Sequence, residues 1–225
     1  MLARLIRDLG LPKRARVLDI GTSTGTNLRL LRDLGFESFE GIDTSDEAIR
    51  WCADKGLGTV SKGDVCNMPF PQATFDLVLA TDIIEHVESD VLALTEIRRV
   101  LKPSAPVIVT VPAFRMLWGL QDEVAHHKRR YRGKELRKLL KDSGLACQKS
   151  FYFNYLLLLP IFFTRQLIKV FGVKLQSENE LNSPVLNAIL TKIFALDVWL
   201  APLLRIPLGV SFLAVAHRVG ERGEL

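Results

Sequence analysis

Val17-Leu18-Asp19-Ile20-Gly21-Thr22-Ser23-Thr24-Gly25 is the stretch that decides the fold. It reads as a buried strand that ends in an acid and a glycine-rich turn. A helical pattern follows, with apolar Leu28, Leu30, Leu31 and Leu34. Gly21 and Gly25 lack a Cβ, so the backbone there can pass close to a ligand. The helix beginning near Thr24 directs its free N–H groups at that ligand. A second acid, Asp43, closes the next strand-like run, Phe39-Glu40-Gly41-Ile42. An acid about 20 residues past such a loop commonly takes the hydroxyl pair of a ribose. The pattern is that of a cradle for an adenosine-type cofactor.

Outward from this loop, strand and helix signals alternate. Strand-like runs are 16–20, 39–42, 58–61, 75–80 and 106–111. Helix-like runs are 24–34, 46–55, 90–101 and 134–143, the last ended by Gly144. This alternation predicts an α/β fold, a doubly wound parallel sheet with helices on both faces. Ligands then bind at the carboxyl ends of the strands. Two later runs, 145–153 and 209–217, complete the sheet. The segment between them, 155–205, is apolar or helical in pattern and reads as an insertion before the last strand. Residues 1–225 form a single domain, with no internal repeat or low-complexity tract.

Length and composition agree. A chain of 225 residues, 48% hydrophobic and 24% charged, supports one α/β core and not a disordered chain. The mean hydropathy of +0.17 is high for a soluble enzyme, and the excess lies after residue 150. The net charge of +5 suits anionic partners without naming one. Cys52, Cys66 and Cys147 form no CxxC pair. They read as reduced thiols of a cytoplasmic protein, with neither a disulfide framework nor a zinc site. Residues 1–8 form a short charged amphipathic helix with no signal-peptide core. The longest charge-free run, 150–164, is shorter than a bilayer span.

Four segments in order resemble the class I S-adenosylmethionine-dependent methyltransferases. They are the Asp19–Gly25 loop, Asp43, Lys62-Gly63-Asp64-Val65, and Phe75-Asp76-Leu77-Val78 running through Ile84-Glu85-His86-Val87 to Ile97-Arg98-Arg99-Val100-Leu101-Lys102-Pro103. The resemblance covers residues 15 to about 115. It implies a Rossmann-like sheet of seven strands, mostly parallel with the last antiparallel, and S-adenosyl-L-methionine as cofactor. It also implies cofactor contacts from Asp19, Gly21, Thr22, Ser23, Gly25, Asp43, Asp64 and Val65. Asp19 would help hold the donor's ammonium, Asp43 the ribose, and Asp64 would lie beside the adenine. Ser23 departs from the family's middle glycine, which puts the loop conformation in question. A nicotinamide enzyme would instead want G-x-G-x-x-G, which this loop lacks. Asp43 also reads as a turn acid before the next helix, and Asp64 as the start of a turn.

Methyl transfer from an activated donor needs positioning above all. A base is needed only when the acceptor must lose a proton, as a hydroxyl does. The candidates are His127 and His86, with adjacent His126 weaker and Asp82 and Asp122 in reserve. His86 follows the fourth strand, and its other reading is a helix cap or packing residue. His127 lies in Ala125-His126-His127-Lys128-Arg129-Arg130-Tyr131. That string resembles a subgroup of these methyltransferases found beside lipid and polysaccharide pathways. Its other reading is a structural or solvent histidine. No metal ligands are expected.

Lys128, Arg129, Arg130, Arg132, Lys134, Arg137, Lys138 and Lys141 form a basic run opposed only by Glu135. Such a run is usually a solvated helix face; a phosphate-bearing acceptor and anionic lipid headgroups are the functional readings. No aromatic-interleaved basic platform for RNA is present, so nucleic acid is not expected. Over 163–171 Arg165, Gln166 and Lys169 fall on one side, opposite Leu167, Val170 and Phe171, which describes an amphipathic helix. The stretch 185–204 is polar only at Asn187, Thr191, Lys192 and Asp197. Two such helices beside a basic face suit peripheral contact with a membrane or a pocket for a lipid-like acceptor; a homodimer interface is the other reading. The resulting expectation is a methyltransferase acting on a hydrophobic or lipid-linked small molecule, at a hydroxyl oxygen. The rival is a non-catalytic subunit of the same fold, anchoring a partner through its apolar insertion.

Overall fold

The computed structural model describes residues 1–171, 184–204 and 206–220. The strands are β1 (Arg16–Ile20), β2 (Ser38–Asp43), β3 (Thr59–Lys62), β4 (Leu77–Thr81), β5 (Pro106–Pro112), β6 (Leu145–Phe153) and β7 (Ser211–Arg218). They form one sheet in the order β3-β2-β1-β4-β5-β7-β6. The first five are parallel, and β7 runs antiparallel to both β5 and β6. The strand order reverses between β1 and β4, which makes their carboxyl ends the place for a ligand.

Central strands are buried on both faces, so their sequences are apolar without alternation. The pleat still sorts them. Leu18, Ile20, Val78, Ala80, Val107 and Val109 point into one core. Val17, Leu77, Leu79 and Ile108 point into the other. Helix α1 (Leu2–Asp8) buries Leu5 and Ile6 in that second core. Helices α2 (Thr26–Asp33), α3 (Asp46–Asp54), α4 (Asp90–Val100) and α6 (Gly133–Asp142) stand where the periodicity placed them. Helix α2 starts two residues later than expected, because Gly25 sits at φ 75° as its N-cap. The short α5 (Leu120–Val124) and a 3₁₀ turn at Arg115–Leu117 had no sequence signal. All three cysteines are free thiols.

The insertion before β7 holds α7 (Leu158–Phe171) and α8 (Pro184–Leu204). One expectation for α7 is corrected. Arg165 is buried, not on a solvated face: its guanidinium donates to the Leu117 carbonyl and lies 3.6 Å from Asp122. The expected opposition of Lys169 to Leu167, Val170 and Phe171 falls on side chains outside the described residues. Helix α8 also exceeds the sequence expectation: residues Asn187–Leu204 are long and apolar enough to cross a membrane by length and composition, at a mean hydropathy of 1.5. Only 11% of that window is buried. Ile189, Phe194, Leu196, Trp199, Leu203 and Leu204 are exposed.

One charge anchors α8 to the domain. Asp197 is fully buried, and its carboxylate accepts from the backbone N–H of Asn154 (2.5 Å) and Leu156 (2.7 Å), just past β6. Asp197→Ala leaves both N–H groups unpaired, at about 1–3 kcal/mol each. Native-state hydrogen exchange should show protection lost at Asn154 and Leu156, with the β4 and β5 amides unchanged. Unchanged exchange at Asn154 and Leu156 would refute this anchoring role.

Candidate active site

The switch point between β1 and β4 opens into a cavity of about 570 Å³, within the range of small-molecule sites. Its wall includes Gly21, Thr22, Ser23, Asp43, Asp64 and Val65, six of the eight residues expected to contact a cofactor. Gly21 is at φ 69°, and a Cβ there would lie 1.9 Å from Ile83 Cδ1. Ser23 adopts φ 46°, the left-handed conformation that its glycine counterpart would take freely. Its N–H is held by Asp43 Oδ2 at 2.9 Å. Asp43 Oδ1 accepts from the Ser45 N–H at 2.8 Å, so the residue serves the turn while lining the cavity. Each oxygen keeps a further lone pair for a hydroxyl. Asp64 Oδ1 accepts from the Cys66 N–H at 2.8 Å and lines the cavity as well.

Asp19 and Gly25 do not line the cavity. Gly25 caps α2. Asp19 is fully buried behind the wall, where Asn27 Nδ2 bridges its Oδ1 and the Thr81 hydroxyl, each at 2.9 Å. Asn27, Thr81 and Ile83 line the cavity and were missed by sequence reasoning; Asn27 sits eight residues past Asp19, so the one-turn helical step from the loop was the available signal. Burial pushes the Asp19 carboxyl up to about 7, with the Asn27 amide opposing and Asp43 adding to the rise. Its Oδ2 has no hydrogen-bond partner. A buried carboxyl with an orphaned oxygen fits a ligand that carries an ammonium, as S-adenosyl-L-methionine does.

Around the turn after β4 lie Asp82, Glu85 and His86. Asp82 and His86 line the cavity; Glu85 is fully buried beneath it. The His86 and His127 rings meet edge to face, 4.7 Å between centroids. His127 is one layer behind His86 and does not line the cavity. Its Nδ1 is 2.8 Å from Asp122 Oδ1. Burial, then neighbouring His127, pulls His86 below the usual histidine range. Burial and adjacent Asp82 push Glu85 well above the usual carboxyl range. Ligand atoms of Glu85, His86 and His127 lie within 4.8 Å of one another, a convergence that the sequence reading did not anticipate. The adjacent acid–histidine pair at a strand's carboxyl end was the available signal. His126 is exposed, at φ 56°.

Asp122 is corrected from reserve base to structural hub. It is fully buried and accepts from Gly119 N–H (2.8 Å), Arg130 Nε (2.7 Å) and His127. Burial opposes its ionisation, yet Arg130 and the Gly119 N–H hold the carboxyl below its usual value. An acid so engaged is held by structural partners, and it lines neither this cavity nor the second one around Phe114 and Leu158.

The start of the basic run is spent on structure. Lys128 pairs with Glu88, Arg129 with Asp90 at 3.1 Å, and Arg130 with Asp122. The Tyr131 hydroxyl donates to Asp90 Oδ2 (3.0 Å). The contacts to Glu88 and Asp90 pin the loop after β5 onto the segment after β4, while Arg130–Asp122 braces the loop internally. Further along, Arg132, Lys134 and Arg137 rim a second cavity of about 620 Å³, whose wall includes Phe114, Met116, Leu158, Leu159, Phe162 and Leu208. Lys138 pairs instead with Asp142, at 2.5 Å.

A methyltransferase-domain family model matches residues 1–150. The chain is 31% identical over 144 residues to norajmaline N-methyltransferase of Rauvolfia serpentina, covering 60% of this chain and 47% of that one. It is 28% identical over 129 residues to demethylmenaquinone methyltransferase of Staphylococcus aureus, covering 52% and 54%. The chain thus spans about half the length of the curated relatives it matches. A solved S-adenosylmethionine-dependent methyltransferase from Mesorhizobium loti shares the fold at a TM-score of 0.61 and 16% identity, covering 96% of each chain. With the family model over residues 1–150, the glycine loop and the strand order all in agreement, the chain belongs to the class I S-adenosylmethionine-dependent methyltransferase family.

Proposed function

We propose that this protein transfers a methyl group from S-adenosyl-L-methionine to a hydroxyl oxygen of a hydrophobic or lipid-linked acceptor. The observation that carries the acceptor class is the second cavity. It is apolar along its wall and cationic at its rim, the complement of an amphiphile with an anionic or polar head. The relatives named above act on different acceptor atoms, so the acceptor reading rests on this chain's own residues. Bound, the donor supplies a methyl already activated on a sulfonium. The protein's part is to hold and orient. Asp43 and the Gly21–Ser23 backbone hold the nucleoside end, Asp64 and Val65 flank the base, and Asn27, backed by Asp19, faces the ammonium. His86, which lines the donor cavity with His127 packed edge to face behind it, is the group we assign to an acceptor's proton.

The exposed apolar side of α7 and α8 supports contact with a membrane surface from the cytoplasmic side. Leu159, Phe163, Trp199 and Leu203 are among its exposed residues. A second copy of the chain would cover the same face, and sedimentation with and without anionic vesicles separates the two. Turnover confined to fully water-soluble acceptors, with no vesicle binding, would refute the lipid part.

Calorimetry should show micromolar donor binding, weakened about a hundredfold in Asp43→Ala, roughly 3 kcal/mol for lost charged hydrogen bonds. No binding by folded wild type would favour the non-catalytic anchoring subunit.

Donor affinity should also depend on pH through Asp19. In the free protein this carboxyl is protonated below about 7, whereas an ammonium nearby favours its ionised form. Binding below that pH therefore releases a proton, and affinity should fall about tenfold per pH unit as pH drops below 7. Above 7 it should level off. Asp19→Asn should flatten the profile; a wild-type profile flat from pH 5 to 8 would exclude this linkage.

A further inference from the structure

Glu85 presents an unsolved physical problem. Its side chain is fully buried, and neither carboxyl oxygen has a hydrogen-bond partner. Leaving such a group unmatched is costly. Arg130, whose charge bears on Glu85, donates to Asp122 and to the Ala113 carbonyl. What does converge on Glu85 is a pair of imidazoles, with ligand atoms of Glu85, His86 and His127 all within 4.8 Å.

Both rings are oriented from behind. Asp122 engages His127 Nδ1 at 2.8 Å, which leaves Nε2 free. The His86 ring is held edge to face against His127, 4.7 Å between centroids. A carboxylate or carbonyl on the far nitrogen is the arrangement that fixes ligating histidines at metal centres. An ion bonded at about 2.0–2.2 Å in tetrahedral geometry holds its ligand atoms roughly 3.3–3.6 Å apart, so the three groups close by at most about 1.5 Å on binding. Asp82 supplies another carboxylate at the mouth, three residues before Glu85 in a turn with φ 53°.

We propose that Glu85, His86 and His127 bind a divalent first-row transition cation beside the donor cavity. Two imidazoles and one carboxylate suit zinc, cobalt or iron better than magnesium or calcium. The three protein ligands leave coordination positions for water or an acceptor oxygen. A cation there would hold that oxygen and favour its deprotonated form. This role, though not the site itself, rests on the hydroxyl-methylating reading above.

The test is titration of the full chain with Co²⁺, read by its visible d–d absorption and by equilibrium dialysis. Wild type should bind one equivalent, with bands that mark mixed nitrogen and oxygen ligation. Glu85→Gln and His127→Ala should each weaken binding about a hundredfold or more. Asp122→Asn should weaken it roughly tenfold to a hundredfold by releasing His127. Exposed His126→Ala should bind as wild type does. Unchanged donor binding shows that each variant is folded; if Glu85→Gln does not fold, His127→Ala decides alone. No stoichiometric binding by wild type, or binding indifferent to the folded ligand variants, would overturn the site. Co²⁺ binding without donor binding would instead sink the methyltransferase reading and leave the cation site standing.

Discussion

The buried carboxylate of Asp122 is the constraint on which the second half of the molecule depends. A charge with no solvent exposure must be matched inside the protein or not be ionised at all. Its partners come from separate segments: Gly119 from the turn before α5, His127 and Arg130 from the loop after β5, and Arg165 from α7. Satisfying one carboxylate therefore fixes the path of the loop, the seat of α7 and the attitude of the His127 ring together. Removing it would take from the Arg130 guanidinium its carboxylate partner, on a side chain only 4% exposed. That double jeopardy is why the cluster acts as a unit.

Local sequence carried the sheet well and the cross-links poorly. Strands β1 and β6 begin and end where apolar runs and turn residues placed them, because strand signals depend on neighbours within a few residues. The glycine loop was legible for the same reason. Asp122, Arg130 and Arg165 were not. Arg130 read as part of a solvated basic run and Arg165 as the polar side of an amphipathic helix, since charge periodicity cannot show that a guanidinium faces inward. Arg165 lies 43 residues beyond Asp122, and nothing local to either residue announces the partner. Asp19 was legible as an acid at the end of β1 but not its bond to Asn27, because the end of a strand and the first turn of the next helix meet only once the strand is packed.

The two cavities divide the sheet's carboxyl edge. The β1–β2–β4 side offers glycine backbone and carboxylates. The β5–β6–β7 side, built partly from the insertion, offers an apolar wall with a cationic rim. The reversed strand at β7 makes this division possible. Because it runs antiparallel to β5 and β6, it starts at the edge where the others end, so an insertion placed before it emerges beside the ligand sites. An apolar insertion between two parallel strands of that half would have had to return to the opposite edge first.

Ser23 tests whether the loop is intact or decayed. Three of its positions lie at positive φ, Gly21, Ser23 and Gly25, but for different reasons. At Gly21 and Gly25 a Cβ would collide, at 1.9 Å with Ile83 and 2.4 Å with Leu57. Glycine is there for space as well as for conformation. Ser23 is exposed, so its side chain meets no such wall, and the left-handed conformation alone costs roughly 1–2 kcal/mol. The hydrogen bond from its N–H to the Asp43 carboxylate is charge-assisted and offsets a cost of that size. The acid that lines the cavity thus also holds the loop's one non-glycine residue at positive φ in the shape the loop requires, and the substitution leaves the cradle standing.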